Sequence, residues 1–207
     1  MNFLELSCKV GFERKVFMTI RAYNVPLSRE VVANANVSDI YKDWTQAEIR
    51  ADLDARRTQL VNICMNLTKD FNKASVIRAN NAFLGSSVYL VGSRHYNRVG
   101  AVGTHRYEHV YSADNLEEVV KKLHQEGYVV YAVDNVESYK PKNIWDVVFP
   151  EKSAFVYGEE QRGLQPEDIV LCDDMVYISQ VGSVRSLNVA QAAACVMSEY
   201  SRQHRMS

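Results

Sequence analysis

The chain has 207 residues, 47% of them hydrophobic and 24% charged, with 24 Lys+Arg against 25 Asp+Glu. That length suffices for one well-buried core, and nine Gly and four Pro with an ordinary charged fraction exclude a disordered, fibrous or linker-dominated chain. A formal net charge of −1 gives no global attraction to nucleic acid, so any such partner must be held by a local patch.

No apolar run approaches the roughly 18 to 20 residues of a membrane span, and the opening Met1-Asn2-Phe3-Leu4-Glu5 lacks the basic-then-apolar pattern of a secretory signal. Cys8, Cys64, Cys172 and Cys195 are scattered without CxxC pairs, which suits reduced, partly buried thiols in a cytoplasmic protein. Residues 1–44 carry weak signals: a strand at 16–20 and the start of a short helix at 26–30. From Thr45 the pattern sharpens. Thr45 and Glu48 have capping-box spacing, and Ile49, Leu53, Leu60, Cys64 and Leu67 follow a helical stripe, so one helix is expected to start near 45 and run into the core. Arg50/Asp54 and Asp52/Arg56 place opposite charges four apart on its outer side.

Strands are then predicted at 87–91, 128–133, 153–157 and 175–178. A helix is predicted at 114–125, with Asp114 and Glu117 at its start and Gly127 past its end, and another at 187–203, rich in alanine. Short apolar strands separated by helices imply an α/β protein, a parallel sheet covered on both faces, with ligands collecting at the carboxyl ends of its strands.

Three polar, Gly-containing segments fall where ligands of such a sheet would gather. The first holds Asn72, Arg78 and Gly85. The second is Gly158-Glu159-Glu160-Gln161-Arg162-Gly163-Leu164. The third runs from Ile178 through Gly182 to Ser186-Leu187-Asn188. A glycine after a strand is usually only a turn, and each segment alone is weak. In this order and spacing the three resemble the motifs of the SpoU/TrmH family of RNA ribose methyltransferases, over roughly residues 60–202. The first family motif is an Asn with an Arg six residues on and a Gly after an aromatic. The second is Gly-x-Glu-x-x-Gly-Leu. The third is Ile-Pro-Met-x-Gly followed by Ser-Leu-Asn, and here Ser179 and Gln180 replace Pro and Met.

The resemblance implies a sheet whose C-terminal part is threaded into a deep trefoil knot. It also implies S-adenosylmethionine bound among the knot loops, with S-adenosylhomocysteine as product and no metal, and a homodimer with the site near its interface. It places the cofactor against Gly158, Ile178 and Leu187, with Val133 as a further contact. It gives activation of the ribose 2′-hydroxyl to Arg78. Because a guanidinium is effectively always protonated, charge stabilisation and phosphate anchoring fit Arg78 better than proton abstraction; a structural pairing of Arg78 with Glu160 is the bland alternative. Asn72 either orients substrate or caps the helix carrying Arg78. Glu160 supports Arg78 or the adjoining loop. Ser186 and Asn188 either cap the closing helix or take a substrate or loop-ordering role. Residues 60–207 form the methyltransferase domain, and 1–59 a partly helical extension.

Arg94, His95, Arg98, His105, Arg106 and His109 lie against one acid, Glu108, and are interleaved with Tyr96 and Tyr107. Cations for phosphate and rings for exposed bases suit RNA, with Arg94, Arg98, His105 and Arg106 as contacts and neither DNA nor a membrane as partner. A solvated loop is the plain alternative, and the histidines lack the compact Cys/His pairs of a metal site. Arg56, Arg57, Arg202, His204 and Arg205 would widen the basic surface. The expected activity is 2′-O-methylation of tRNA or rRNA; the rivals are an idle RNA-binding module and a base N-methylating knotted enzyme.

Overall fold

A computed structural model describes residues 20–22, 36–67, 69–92 and 94–205. The expected strand at 16–20, save its last residue, and the helix at 26–30 lie outside the described residues. The first long helix, α1 (Gln46–Arg56), begins as its capping signal predicts. Thr45 Oγ1 accepts from Glu48 N at 3.3 Å, and Glu48 Oε2 accepts from Thr45 N at 2.7 Å.

The helix ends earlier than the stripe predicts. Ile49 and Leu53 form its buried face, but Cys64 belongs to a strand, β2 (Val61–Met65), which Leu60 and Leu67 flank. The seven-residue step from Leu53 to Leu60 keeps helical phase only by accident. Val61 and Ile63 face one side of the sheet and Asn62 and Cys64 the other, all at most 2% exposed, so this is a strand buried on both faces.

The remaining elements in chain order are α2 (Asp70–Ala82), β3 (Ser87–Val91), β4 (Val110–Ala113), α3 (Leu116–Gln125), β5 (Val129–Val133), β6 (Lys142–Asn143), β7 (Ser153–Tyr157), the single turn α4 (Pro166–Ile169), β8 (Asp174–Tyr177) and α5 (Val189–Arg205), with β1 (Arg21–Ala22) ahead of α1. The four-residue β4 and two-residue β6 are too short to be read from alternation. Asn115, rather than Asp114, caps α3, its Oδ1 accepting from Glu118 N at 2.9 Å. Gly127 past its end takes φ +83°, a left-handed turn that favours glycine.

The eight strands form one sheet in the order β1-β4-β3-β2-β7-β5-β8-β6. Every neighbouring pair is parallel except β1 on β4 at the edge. This order is consistent with the knot expected in the C-terminal part. One face is covered by α2 and α5, whose Val76, Ile77, Val196, Met197 and Tyr200 meet Cys64, Leu90, Phe155 and Tyr157. The other is covered by α3, whose Val119, Val120 and Leu123 meet Ile63, Val130 and Val156. The extension's α1 packs through Ile49 and Leu53 on Tyr107. Among the described residues no helix is long and apolar enough to cross a membrane. Because β2, β7, β5 and β8 run parallel, their carboxyl ends open onto one edge of the sheet, where the three motifs begin.

Candidate active site

Each of the three segments leaves a strand at that edge, and one string of hydrogen bonds joins them. Glu160, after β7, accepts from Asn72 Nδ2 at 2.7 Å and from the backbone N of Lys69 at 3.4 Å. Asn72 Oδ1 accepts from Asn188 Nδ2 at 3.2 Å, and Asn188 Oδ1 accepts from Ala190 N at 2.9 Å. The Glu160 carboxylate therefore sits at the amino end of α2, where the helix dipole favours negative charge. Asn188 takes the capping role at the start of α5 and also holds Asn72. Asn72 is not a helix cap: it lies inside α2, 7% exposed, and the capping position falls to Lys69 without a side-chain bond. Glu160 binds Asn72, so the structural pairing of Arg78 with Glu160 does not form.

Arg78 stands apart from this string. Six residues on from Asn72, it lies about 120° around the helix; it is exposed, and its side chain makes no hydrogen bond or ion pair among the described residues. Ser186 is likewise exposed and makes no hydrogen bond among the described residues, and α5 starts after it, at Val189.

The turn after β7 explains its glycines. Gly163 N donates to Glu159 O at 2.9 Å and adopts φ +66°. A Cβ on Gly158 would stand 2.4 Å from the carbonyl carbon of Gly163 and 2.5 Å from Leu164 N, closer than any side chain can approach. Asp134, just past β5, accepts from Leu164 N at 2.9 Å and pins this turn to the neighbouring strand. Nothing in the sequence marks Asp134, since an Asp after a strand is ordinary turn chemistry. Val133 and Ile178 are half-buried against the core at the ends of β5 and β8, and Leu187 is half-buried in the third loop. Gly158, Val133, Ile178 and Leu187 are the residues that could hold the adenosyl part of a cofactor.

Lys73 is a second residue that the pattern does not reveal. It is 1% exposed, and its Nζ donates to Asp70 Oδ1 at 3.2 Å and His95 O at 2.8 Å, tying α2 to the segment 94–109. Burial pushes the neighbouring Cys64 thiol up to about 12, so it is no nucleophile.

The basic segment is corrected in several places. His105 is 8% exposed, which leaves little surface for an RNA contact; desolvation, with Arg98 and Arg106 beside it, lowers its pKa and favours the neutral ring. Tyr107 is buried against α1 and offers no stacking face. His109 is held by Asp54 at 2.9 Å and Arg50 at 3.0 Å. Arg94 pairs with Asp114 at 2.7 Å. Arg98 and Arg106 remain exposed. The supposed flanking patch is also thinner: Arg57 turns inward onto buried Glu108, Arg56 pairs with Asp52, and Arg202 pairs with Glu199.

The comparisons with known proteins agree with this geometry. The model of the SpoU rRNA Methylase family matches residues 59–198. The tRNA (guanosine(18)-2′-O)-methyltransferase of Thermus thermophilus is 27% identical over 159 residues, covering 73% of this chain and 78% of that protein. The structure of the A. aeolicus TrmH/SpoU tRNA modifying enzyme superposes with a TM-score of 0.70 at 22% identity, covering 78% of this chain and 83% of that one. The SpoU methyltransferase AviRb from Streptomyces viridochromogenes, in complex with the cofactor AdoMet, superposes with a TM-score of 0.64 at 22% identity, covering 75% of this chain and 62% of that one. A match over most of the chain, on a sheet that brings the three motifs to one edge, places this protein in the SpoU rRNA methylase family.

Proposed function

We propose that this protein is an S-adenosylmethionine-dependent RNA 2′-O-methyltransferase that acts on tRNA. The observation that carries the reading is the hydrogen-bonded string Glu160–Asn72–Asn188, one residue from each motif, at the carboxyl ends of β2, β7 and β8. The tRNA assignment rests on the activity named for the Thermus thermophilus relative.

When bound, the cofactor supplies an electrophilic methyl group on a sulfonium. The chain's own contribution is positioning and charge. Gly158, Ile178 and Leu187, with Val133, hold the adenosyl part. Asn72, fixed between Glu160 and Asn188, sets the approach of the ribose, and Ser186 of the third loop orders the substrate. Arg78, exposed and unpaired among the described residues, meets the developing negative charge on the 2′-oxygen and the neighbouring phosphate. Arg98 and Arg106 add phosphate contacts farther out. The active unit is a homodimer. Its interface is the face that α2 and α5 present side by side, where Phe71 is 58% exposed and Arg78, Gln191, Cys195 and Ser198 also reach solvent. A second copy on this face would enclose Arg78, which one chain leaves open. Residues 60–207 form the methyltransferase domain, with the knot in its C-terminal part, and 1–59 the extension, whose α1 packs on it through Ile49 and Leu53. Scattered thiols without CxxC pairs support a cytoplasmic location.

The test is transfer of labelled methyl from S-adenosylmethionine to total tRNA and rRNA, followed by nucleoside analysis. A 2′-O-methyl nucleoside in tRNA is expected. Label in rRNA alone would move the substrate, a methylated base would move the acceptor, and no transfer with intact S-adenosylhomocysteine binding would defeat the enzyme reading.

A further inference from the structure

The central strand β2 contains a polar residue where an apolar one would pack. Asn62 is fully buried between β3 and β7, and its side chain is satisfied on both atoms. Oδ1 accepts from the Tyr157 hydroxyl at 2.9 Å, and Nδ2 donates to Asn80 Oδ1 at 2.9 Å. Asn80, also fully buried, passes the direction on: its Nδ2 donates to Gly85 O at 3.2 Å and to Glu108 Oε2. Glu108, whose side chain is wholly buried, also accepts from Asn81 Nδ2 at 2.8 Å and from Arg57 Nη1 at 3.1 Å. Arg57 spends its remaining donors on Gly85 O, Tyr107 O and Asp54.

A carboxylate only accepts, so Glu108 sets the polarity of the whole relay. Each amide must present its NH2 toward Glu108 and its oxygen away, and the relay ends on the Tyr157 hydroxyl. Tyr157 is the residue before Gly158. At the other end, Asn80 and Asn81 lie within one turn of Arg78 on α2. The first motif's helix is thus held twice: near its start by Asn72 on Glu160, and about 12 Å along by Asn80 on Glu108. A fully satisfied buried network of this kind fixes one arrangement sharply, because any slip strands a polar group in the core.

We propose that Glu108 is a positioning residue for methyl transfer, setting α2, and with it Arg78, against the Gly158 turn through Asn80, Asn62 and Tyr157. The proposal rests on the methyltransferase reading for its catalytic consequence and on the network alone for its structural one. It also gives buried Glu108, inside the otherwise basic segment, a purpose that RNA contact does not explain.

The experiment compares the unaltered chain with Glu108→Gln, Tyr157→Phe and the double variant. Single-turnover transfer to tRNA should fall about tenfold in each single variant, with S-adenosylhomocysteine affinity unchanged within about twofold. The double variant should be no slower than the slower single one, since both act through one chain of contacts. Multiplying losses, or unchanged rates in folded single variants, would overturn the proposal. Tyr157→Phe deletes one oxygen and leaves the ion pair intact, so it decides the matter if Glu108→Gln does not fold. Amide hydrogen exchange supplies a readout independent of activity: Tyr157→Phe should quicken exchange near residues 78–81 as well as in the turn 158–164. Confinement of the change to the turn would overturn the relay, even if the unaltered chain methylated no RNA and the functional reading had failed separately.

Discussion

The turn after β7 and the segment 94–109 are both polar, both carry glycines and both leave the same sheet edge region, yet they spend their polar groups in opposite directions. In the turn, Glu160 reaches outward across the loops to Asn72, and so to Asn188. In the segment, Glu108, His105 and Tyr107 turn into the protein, His109 is clasped by α1, and only Arg98 and Arg106 of the intended contacts are both exposed and outside an ion pair with an acid. A string of side chains drawn from three distant segments marks a site. A dense local run of charges marks mainly what a loop needs to hold its own shape.

Arg78 is the sharpest way to strengthen that contrast. Its side chain holds nothing in the fold, so Arg78→Ala should leave the melting temperature and S-adenosylhomocysteine affinity nearly unchanged while transfer falls about 10²- to 10³-fold, the range for removing one preorganised charge-stabilising donor. Unchanged turnover in single-turnover assays would take Arg78 out of the chemistry.

Gly158→Ala probes the turn by the opposite route, through backbone. The added Cβ would meet the backbone of Gly163 at 2.4 Å, and backbone cannot swing aside as a side chain can. Overpacking of about 1–3 kcal/mol should lower thermal stability, and distortion of the turn should weaken S-adenosylhomocysteine binding at least about tenfold. Normal calorimetric affinity in this variant would remove the turn from the cofactor site.

The motifs were legible because their chemistry is carried by residue types at fixed spacings: Asn72 with Arg78, Gly158 with Glu160 and Gly163, Ser186 with Asn188. Strands 153–157 and 87–91 were legible because they are apolar runs bounded by turns, and their observed limits agree. What stayed hidden were features set by packing across the sheet. Nothing local distinguishes Leu60-Val61-Asn62-Ile63-Cys64 as a strand from a continuation of α1 while the stripe keeps helical phase. Nor does anything in Lys73, Asp134 or Glu108 announce a strut, because each finds a partner on another element. The sense of His105 was reversed for the same reason: composition reports the type of side chain and not the side of the chain on which it lies.

The segment 94–109 still has two cations to test. Arg98→Ala with Arg106→Ala should weaken tRNA binding and flatten the dependence of log affinity on log salt by about 1.5, because each lost phosphate contact removes roughly 0.7–0.9. Arg94→Ala should change it less, since Asp114 already compensates that charge. An unaltered slope in the double variant would leave the segment as structure alone.

The smallest effect expected comes from His105, and its sign separates a buried strut from a ligand contact. An unfolded imidazole titrates near 6.5, whereas burial, with Arg98 and Arg106 close by, holds the folded one lower. Between those values the unfolded chain binds more protons, so stability rises with pH. The contribution is complete above about 6.5 and is lost as pH falls toward the folded value. A histidine contacting phosphate would show the reverse, being raised by its partner and favouring the bound state in acid. Melting curves of the unaltered chain and His105→Gln, taken from pH 7.5 to 5, should therefore converge in acid, the unaltered chain losing more. Tethering to RNA is a separate axis: His105→Gln should leave the salt slope untouched, and a flattened slope would return His105 to the RNA surface.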